Sequence, residues 1–542
     1  MRLATVLVLT VIAGWLRFTS LDFGLPDKFR PDEEYMVSRA VGFSEDLNPH
    51  FTVYPAAQMY VHHATLRLIA ALEGQKGDFR GAFLPGGFAR AHLVGRQLAA
   101  AFGTATIPAI YWAALPAYGS TAALASATVM TFATIHVRES KYSTTDTAAV
   151  FWLTLAIGMM LRVILRGGLG PSLLAGVFTG IAMATKYPTG AVLAGQALAH
   201  LGARWREGRS LWRSFRDIRP WITLVTTIVV FVCCTPYFLL DWAQTLNDFA
   251  YQRGFLEQGV GNTRAGWGWS WLLEKALPDG LGPELATVVL VAVAWCVIRP
   301  RIGTWSLLAF VAVATLGMTS SRYAFYRYVV IPLPALVLFV GILASDVKRW
   351  LARRVPDPWP AVVLSAALLV LLVPSAIRDY KLGRIFARRD TRTIAREWIQ
   401  EHVPPGSAIA MTNHATPYGK PQLTAGGYRI EPFQDVATLR RGQIRWVLSD
   451  SDVLPFYSPA PTDAQLRELE SSADLRFDLD PVKPGTPKPV FDEADAFYIP
   501  IRHTSSMKRP GPRIRIWELR DGPAAPAEPP PSTKLRRRRV QD

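Results

Sequence analysis

The chain has 542 residues, of which 50% are hydrophobic and only 19% charged, and it carries a formal net charge of +17. Its apolar residues collect in long stretches between Met1 and Ile377, most of them near the length that crosses a hydrocarbon core of about 30 Å. That distribution excludes a soluble globular enzyme, a disordered chain and a disulfide scaffold, and it describes a polytopic α-helical membrane protein.

Eleven candidate spans follow in chain order: about 2–18, 92–115, 121–137, 147–165, 171–185, 188–202, 220–240, 283–298, 303–319, 328–346 and 360–377. The first is preceded only by Met1 and Arg2 and no small-residue cleavage site follows it, so it reads as a retained helix and not as a signal peptide. With the N-terminus in the cytoplasm, the loop after the sixth span is cytoplasmic, and it holds six arginines from Arg204 to Arg219. Arg299, Arg301, Lys348, Arg349, Arg353 and Arg354 fall in loops on the same side. This is the positive-inside pattern, and it accounts for the basic excess without a nucleic-acid partner. Cys233, Cys234 and Cys296 lie inside apolar stretches and read as small buried hydrophobes.

The outer segments are then a first loop, 19–91, a second from Asp241 to Gly282, and everything after Ile377. FTVYPAAQMYVHHATLRLIAAL (51–72) suits helices lying at the membrane interface, as do Trp267, Trp269 and Trp271 of the second loop. Residues 1–377 therefore form the transmembrane region and 378–521 an extracytoplasmic α/β domain. Within that domain DTRTIAREWIQEH (390–402) has helical spacing, while the segments 404–412, 444–452, 496–502 and 514–519 read as strands. The Pro-rich, basic end, 522–542, reads as a disordered tail.

Two acidic clusters fall on the outer side. RPDEEYMVSRA brings Asp32 and Glu33 just beyond the first span, and IHVRESKYSTTDTAAVFW brings Glu139 and Asp146 to the mouth of the fourth. A carboxylate near the hydrocarbon boundary is partly desolvated, which raises its basicity and suits it to take a proton from a hydroxyl. A capping role explains the same acids, with Pro31 at the first helical position and Asp146 at a helix start. Bases join them at the outer face: Lys186 in ATKYPTG, and Arg322 and Arg327 in SSRYAFYRY. Cations at that depth suit an anionic head group, although snorkelling to the interface accounts for each singly.

Taken together, residues 1 to about 377 resemble the GT-C superfamily of polyprenyl-phosphate-sugar-dependent glycosyltransferases, in the branch of the protein O-mannosyltransferases and the lipid A aminoarabinose transferase. The resemblance rests on the Asp32-Glu33 pair, the His136–Asp146 segment, Lys186 after a short fifth span, Arg327-Tyr328 before IPLPAL, and the soluble outer domain. It implies an inverting enzyme at the outer face of the inner (plasma) membrane. Such an enzyme moves a sugar from a polyprenyl phosphate to an acceptor hydroxyl on a protein, lipid or glycan. Asp32 would be the general base, supported by Glu33. Asp146, with Glu139 in reserve, would orient acceptor or sugar, and Lys186, Arg322 and Arg327 would bind the donor phosphate. No cofactor is required by the pattern, although Asp32, Glu33 and Asp146 could hold a divalent cation through oxygen. His62, His63 and His136 have no ligand spacing that commends them. A lipid-linked saccharide flippase and a non-catalytic scaffold are the rival readings.

Overall fold

The computed structural model describes residues 2–75, 83, 87–208, 216–258, 268–319, 325–412, 418–423, 427–451, 461–492 and 498–520. Helix occupies each of the apolar stretches. Among the described residues, three helical stretches are long and apolar enough to cross a membrane: Phe88–Thr131, Asp146–Arg166 and the one that begins at Trp359. Leu169–Thr185, Ile218–Cys234, Pro283–Ile298 and Thr304–Thr319 are shorter apolar helices. Gly119 (φ 79°, ψ 174°) leaves helical geometry inside Phe88–Thr131, so that stretch is two helices joined at a turn. Left-handed backbone of that kind costs a glycine little.

Buried apolar side chains form one large core, including Ile107, Val150, Leu153, Val289, Phe310 and Phe339. Leu3, Leu7, Val229, Leu369 and Val370, on the apolar helices, are exposed. Apolar helices with an apolar outer surface are what lipid solvation permits and water does not. Between the first apolar helix and Phe88–Thr131 the chain forms two helices, Pro31–Gly42 and Ala57–Leu72, and the short helix Thr134–Glu139 precedes Asp146. The Trp-rich segment is helical at Trp269–Trp271, while Trp267 lies outside the described residues.

Residues 2–390 and 481–511 group together as one compact unit, and 391–453, 457–480 and 512–520 as a second. The second holds a five-stranded mixed sheet in the order β2-β1-β3-β5-β4, with β1 Ala408–Met411, β2 Arg429–Pro432, β3 Trp446–Ser451, β4 Ala473–Leu479 and β5 Arg513–Leu519. Pairing is parallel for β1 with β2 and β3, and antiparallel for β5 with β3 and β4. Alternate residues face opposite sides. Ile409, Leu448, Ile514 and Ile516 meet Ala395 and Ile399 of the helix Thr391–His402. Ala410, Val447, Trp517 and Leu519 meet Val436, Leu439 and Leu469 on the other face.

One expected strand is absent from the sheet. Of 496–502, residues 498–502 make a single isolated bridge, Arg502 with Val490. Tyr498 and Ile499 are instead buried with Tyr142, Leu382, Ile385 and Phe386 of the first unit. Their apolar pattern serves packing against helices, a use that alternation alone cannot distinguish from a strand. The basic run Arg536 to Arg539 lies outside the described residues.

Candidate functional site

Pro31 occupies the first turn of Pro31–Gly42, and Asp32, Glu33 and Glu34 follow it there. The positive end of a helix favours acids in that turn, so local sequence alone gathers the carboxylates. Their surroundings then divide their roles.

Asp32 keeps a quarter of its side-chain surface exposed (25%). Its Oδ2 accepts a hydrogen bond from Arg327 Nη1 at 2.6 Å, and Arg30 Nη2 stands 4.0 Å from the same oxygen. The Tyr54 hydroxyl donates to Oδ1 at 3.4 Å. Burial works to raise the Asp32 carboxyl, but Arg327 and Arg30 together outweigh it and hold the group below its ordinary value. Burial pushes the Tyr54 phenol well above its ordinary value, which keeps it a donor.

Glu33 is buried and differently employed. Arg96 Nε and Nη2 grip its two oxygens at 2.9 and 2.8 Å, and the Ser143 N–H donates to Oε1 at 2.7 Å. Arg96 Nη1 also donates to the carbonyls of Leu21 and Phe23, at 2.7 and 2.8 Å. Burial raises the Glu33 carboxyl, and Arg96 overrides it, taking it down to about 2. A bidentate guanidinium of this kind fixes geometry as well as charge. The approach of the Ser140–Ser143 segment to the helix that carries Arg96, within Phe88–Thr131, requires glycine: a Cβ at Gly95 or Gly103 would strike the Ser143 or Ser140 hydroxyl.

Asp146 opens the helix Asp146–Arg166, and its Oδ1 accepts from Lys186 Nζ at 2.5 Å. The chain leaves the helix Leu169–Thr185 at Lys186 in extended geometry, before the Tyr187–Ala191 turn. Arg327 sits in another tight turn, Tyr326–Val330, ahead of the helix Leu333–Leu351. Both cations are thus presented by breaks between apolar helices. Lys186 Nζ also lies 5.6 Å from the Tyr328 ring centre. Asp32 and Asp146 feel one another and both feel Arg30 and Arg327, so Asp32, Asp146, Lys186 and Arg327 make a single charged site.

Glu139 is set back from it, fully buried, bonded to Arg138 at 2.5 Å and 3.8 Å from Arg30. Arg322 lies outside the described residues. His62 and His63 donate to the carbonyls of Ala91 and Ala40, and His136 accepts from Arg17. A small cavity beside Tyr54 is lined by Phe51, Thr52, Tyr187, Tyr237 and Phe238 among others.

Three participants were not singled out from sequence: Arg96, Arg30 and Tyr54. Arg96 had a signal, because an arginine within an apolar span needs a buried partner. Arg30, in the polar stretch before Pro31, and Tyr54, in the aromatic stretch read as interfacial, offered none. As to a metal, no group of three or more His, Cys, Asp or Glu side chains converges among the described residues. Asp32, Glu33 and Asp146 are each matched to a cation of the chain, which fits a charge-paired site better than a metal-ligand set.

The charged site thus sits at breaks between the helices of the apolar unit, and a mixed sheet forms the second unit. Comparisons with known proteins identify relatives of this fold. The family model "Dolichyl-phosphate-mannose-protein mannosyltransferase" matches residues 63–249. The structure of ArnT from Cupriavidus metallidurans bound to undecaprenyl phosphate aligns with a TM-score of 0.51 at 14% identity, over 95% of this chain and 97% of that one. Archaeal oligosaccharyltransferase AglB from Archaeoglobus fulgidus, in complex with an inhibitory peptide and a dolichol-phosphate, aligns with a TM-score of 0.50 at 11% identity, over 89% of this chain and 73% of that one. A search of curated protein sequences found no match. The chain thus shares its fold with ArnT and AglB, and one segment of it matches the O-mannosyltransferase family model.

Proposed function

We propose that the chain is an inverting glycosyltransferase acting at the outer face of the inner (plasma) membrane, crossing the bilayer eleven times, with a polyprenyl phosphate sugar as donor and a hydroxyl as acceptor. The observation that carries this reading is the coexistence of a partly exposed carboxylate, Asp32, with Arg327 and the Asp146–Lys186 pair in one site. The bound lipids named for the structural neighbours, undecaprenyl phosphate and dolichol-phosphate, support the donor class.

In this reading the acceptor oxygen attacks the anomeric carbon while Asp32 takes its proton. The bond from that carbon to the phosphate oxygen breaks, and the lipid phosphate leaves with the electron pair. Lys186 and Arg327 stabilise the charge gathering on it, a preorganised contribution that commonly dominates catalysis. The ion pairs give the step an order. A donor phosphate draws Arg327 toward itself, and Asp32, relieved of its closest cation, becomes a stronger base as the reactants assemble. Asp146 orients the sugar or acceptor, while Glu33, clamped by Arg96, holds the helix start that carries Asp32, and Glu139 remains a reserve. No step is routed through a metal.

The test is a panel of undecaprenyl-phosphate-linked sugars presented to the purified protein in nanodiscs with membrane extract as acceptor source. Mass spectrometry follows release of undecaprenyl phosphate from wild type and Asp32→Asn. Release by wild type alone supports the reading and names the sugar. Equal release by both removes Asp32 from the mechanism, and no release by folded wild type removes the donor class.

A further inference from the structure

Between β4 and β5 the chain leaves the sheet unit, and residues 481–511 group with the helical unit. This return segment meets the turn that carries Arg327. Asp492 is buried, and its Oδ2 accepts the Tyr326 N–H at 3.0 Å. Tyr326 is the residue immediately before Arg327, at the start of the Tyr326–Val330 turn. Its hydroxyl donates to Asp279 Oδ2 at 3.1 Å, and Arg502 of the same return segment lies 3.1 Å from Asp279 Oδ1. Tyr326 is therefore held at its backbone and at its ring, and both anchors involve 481–511.

An N–H at the start of a helical turn has no partner within that turn. A carboxylate placed on it fixes the turn and, with it, the direction in which the next side chain leaves. Here the next side chain is Arg327, whose guanidinium reaches Asp32 at 2.6 Å. The same return segment also packs against Tyr142 through Phe491, Tyr498 and Ile499, and the Tyr142 ring lies 4.2 Å from the Arg30 guanidinium. One short piece of chain thus abuts the supports of both arginines that face Asp32.

We infer that Asp492 is a positioning residue that sets Arg327 for the donor phosphate, through the Tyr326 N–H, so that the return segment contributes to the donor site at Asp492. This rests on the phosphate role proposed above for Arg327. The probe is undecaprenyl phosphate itself, with its affinity for the full chain in nanodiscs read by native mass spectrometry.

Wild type, Asp492→Ala, Asp492→Asn, Arg327→Ala and the double variant Asp492→Ala/Arg327→Ala are compared. Residues of one hydrogen-bond network couple strongly, so Asp492→Ala should weaken binding by about tenfold. Asp492→Asn keeps an acceptor oxygen for the Tyr326 N–H and should recover most of the loss. In the double variant Asp492→Ala should add nothing to the effect of Arg327→Ala. Wild-type affinity in Asp492→Ala, or a loss that adds fully to that of Arg327→Ala, overturns the inference while leaving the phosphate reading intact. Equal affinity of wild type and Arg327→Ala instead defeats the phosphate reading itself. Should Asp492→Ala fail to fold, Arg502→Ala, at a half-exposed side chain, carries the same comparison through Asp279.

Discussion

Arg327 and Asp32 are 295 residues apart in the chain and share a hydrogen bond of 2.6 Å. The bond joins the candidate base to a candidate phosphate ligand before either has met a substrate. If Asp32 removes the acceptor proton, Asp32→Asn should bind donor lipid and release little of it. General-base contributions run to roughly 100- to 10,000-fold, and that is the expected drop in turnover. Donor binding measured alongside turnover separates this from misfolding, and near-normal turnover would exclude Asp32 as base.

Arg327 and Lys186 should behave as a pair with different side effects. Arg327→Ala and Lys186→Ala each should weaken donor use, with a turnover loss of about 100- to 1000-fold if the charge they meet develops in the transition state. Arg327→Lys should rescue poorly, since an ammonium lacks the planar fork that a guanidinium offers to phosphate. Steady-state kinetics on the donor that supports turnover gives the comparison, and unchanged apparent donor affinity in both alanine variants would count against phosphate binding here.

Glu33 should prove a matter of stability first. Its oxygens are occupied by Arg96 and the Ser143 N–H, and breaking one partner of such a buried pair costs about 3–5 kcal/mol. Arg96→Ala and Glu33→Ala should both lower the thermal midpoint in nanodiscs. The pH dependence has a definite sign. The Glu33 carboxyl drops from 4.5 to about 2 on folding, so its contribution is complete above pH 4.5 and is lost as pH falls from there toward 2. Glu33→Gln should flatten that acid-side decline, and a decline identical to wild type would show that other groups cause it.

The difference between Asp32 and Glu33 marks what the sequence could disclose. Adjacent acids after the first apolar helix, with Asp146, Lys186 and Arg327 at other helix junctions, were visible because the hydropathy pattern marks where the apolar helices begin and end. Which acid stays open and which is locked by Arg96 depends on how the helix Phe88–Thr131 lies against the 140–143 segment, and that is a tertiary fact. The sheet shows the same division. β1, β3 and β5 carry dense apolar patterns, whereas β2 and β4, with the sequences RIEP and ADLRFDL, lie at its two edges and are more exposed and polar. Tyr498 and Ile499 have a strand's apolar character and a helix-packing destination, so pattern alone misplaces them.

A metal requirement is tested by chelation. Asp32, Glu33 and Asp146 already face Arg327, Arg96 and Lys186, so a divalent cation would have to displace a tethered guanidinium or ammonium from each carboxylate it used. Treatment with EDTA, followed by Mg²⁺, Mn²⁺ or Ca²⁺, should leave turnover unchanged. Loss on chelation with recovery by one of the ions would show that the ion pairs open to admit it.

The acid limb of the pH profile tests the ion pair from another side. Arg327 and Arg30 hold the Asp32 carboxyl below its ordinary value in the free enzyme, against burial, which acts to raise it. The group therefore stays ionised, and able to accept a proton, to a lower pH than a free aspartate with a pKa of about 3.9. The profile of kcat/KM reports the free enzyme, so its acid limb should lie below that value. Arg327→Ala removes the nearest cation and leaves burial less opposed, which should move the limb upward in whatever activity remains. A limb that stays in place in this variant would mean that the titrating group is not Asp32.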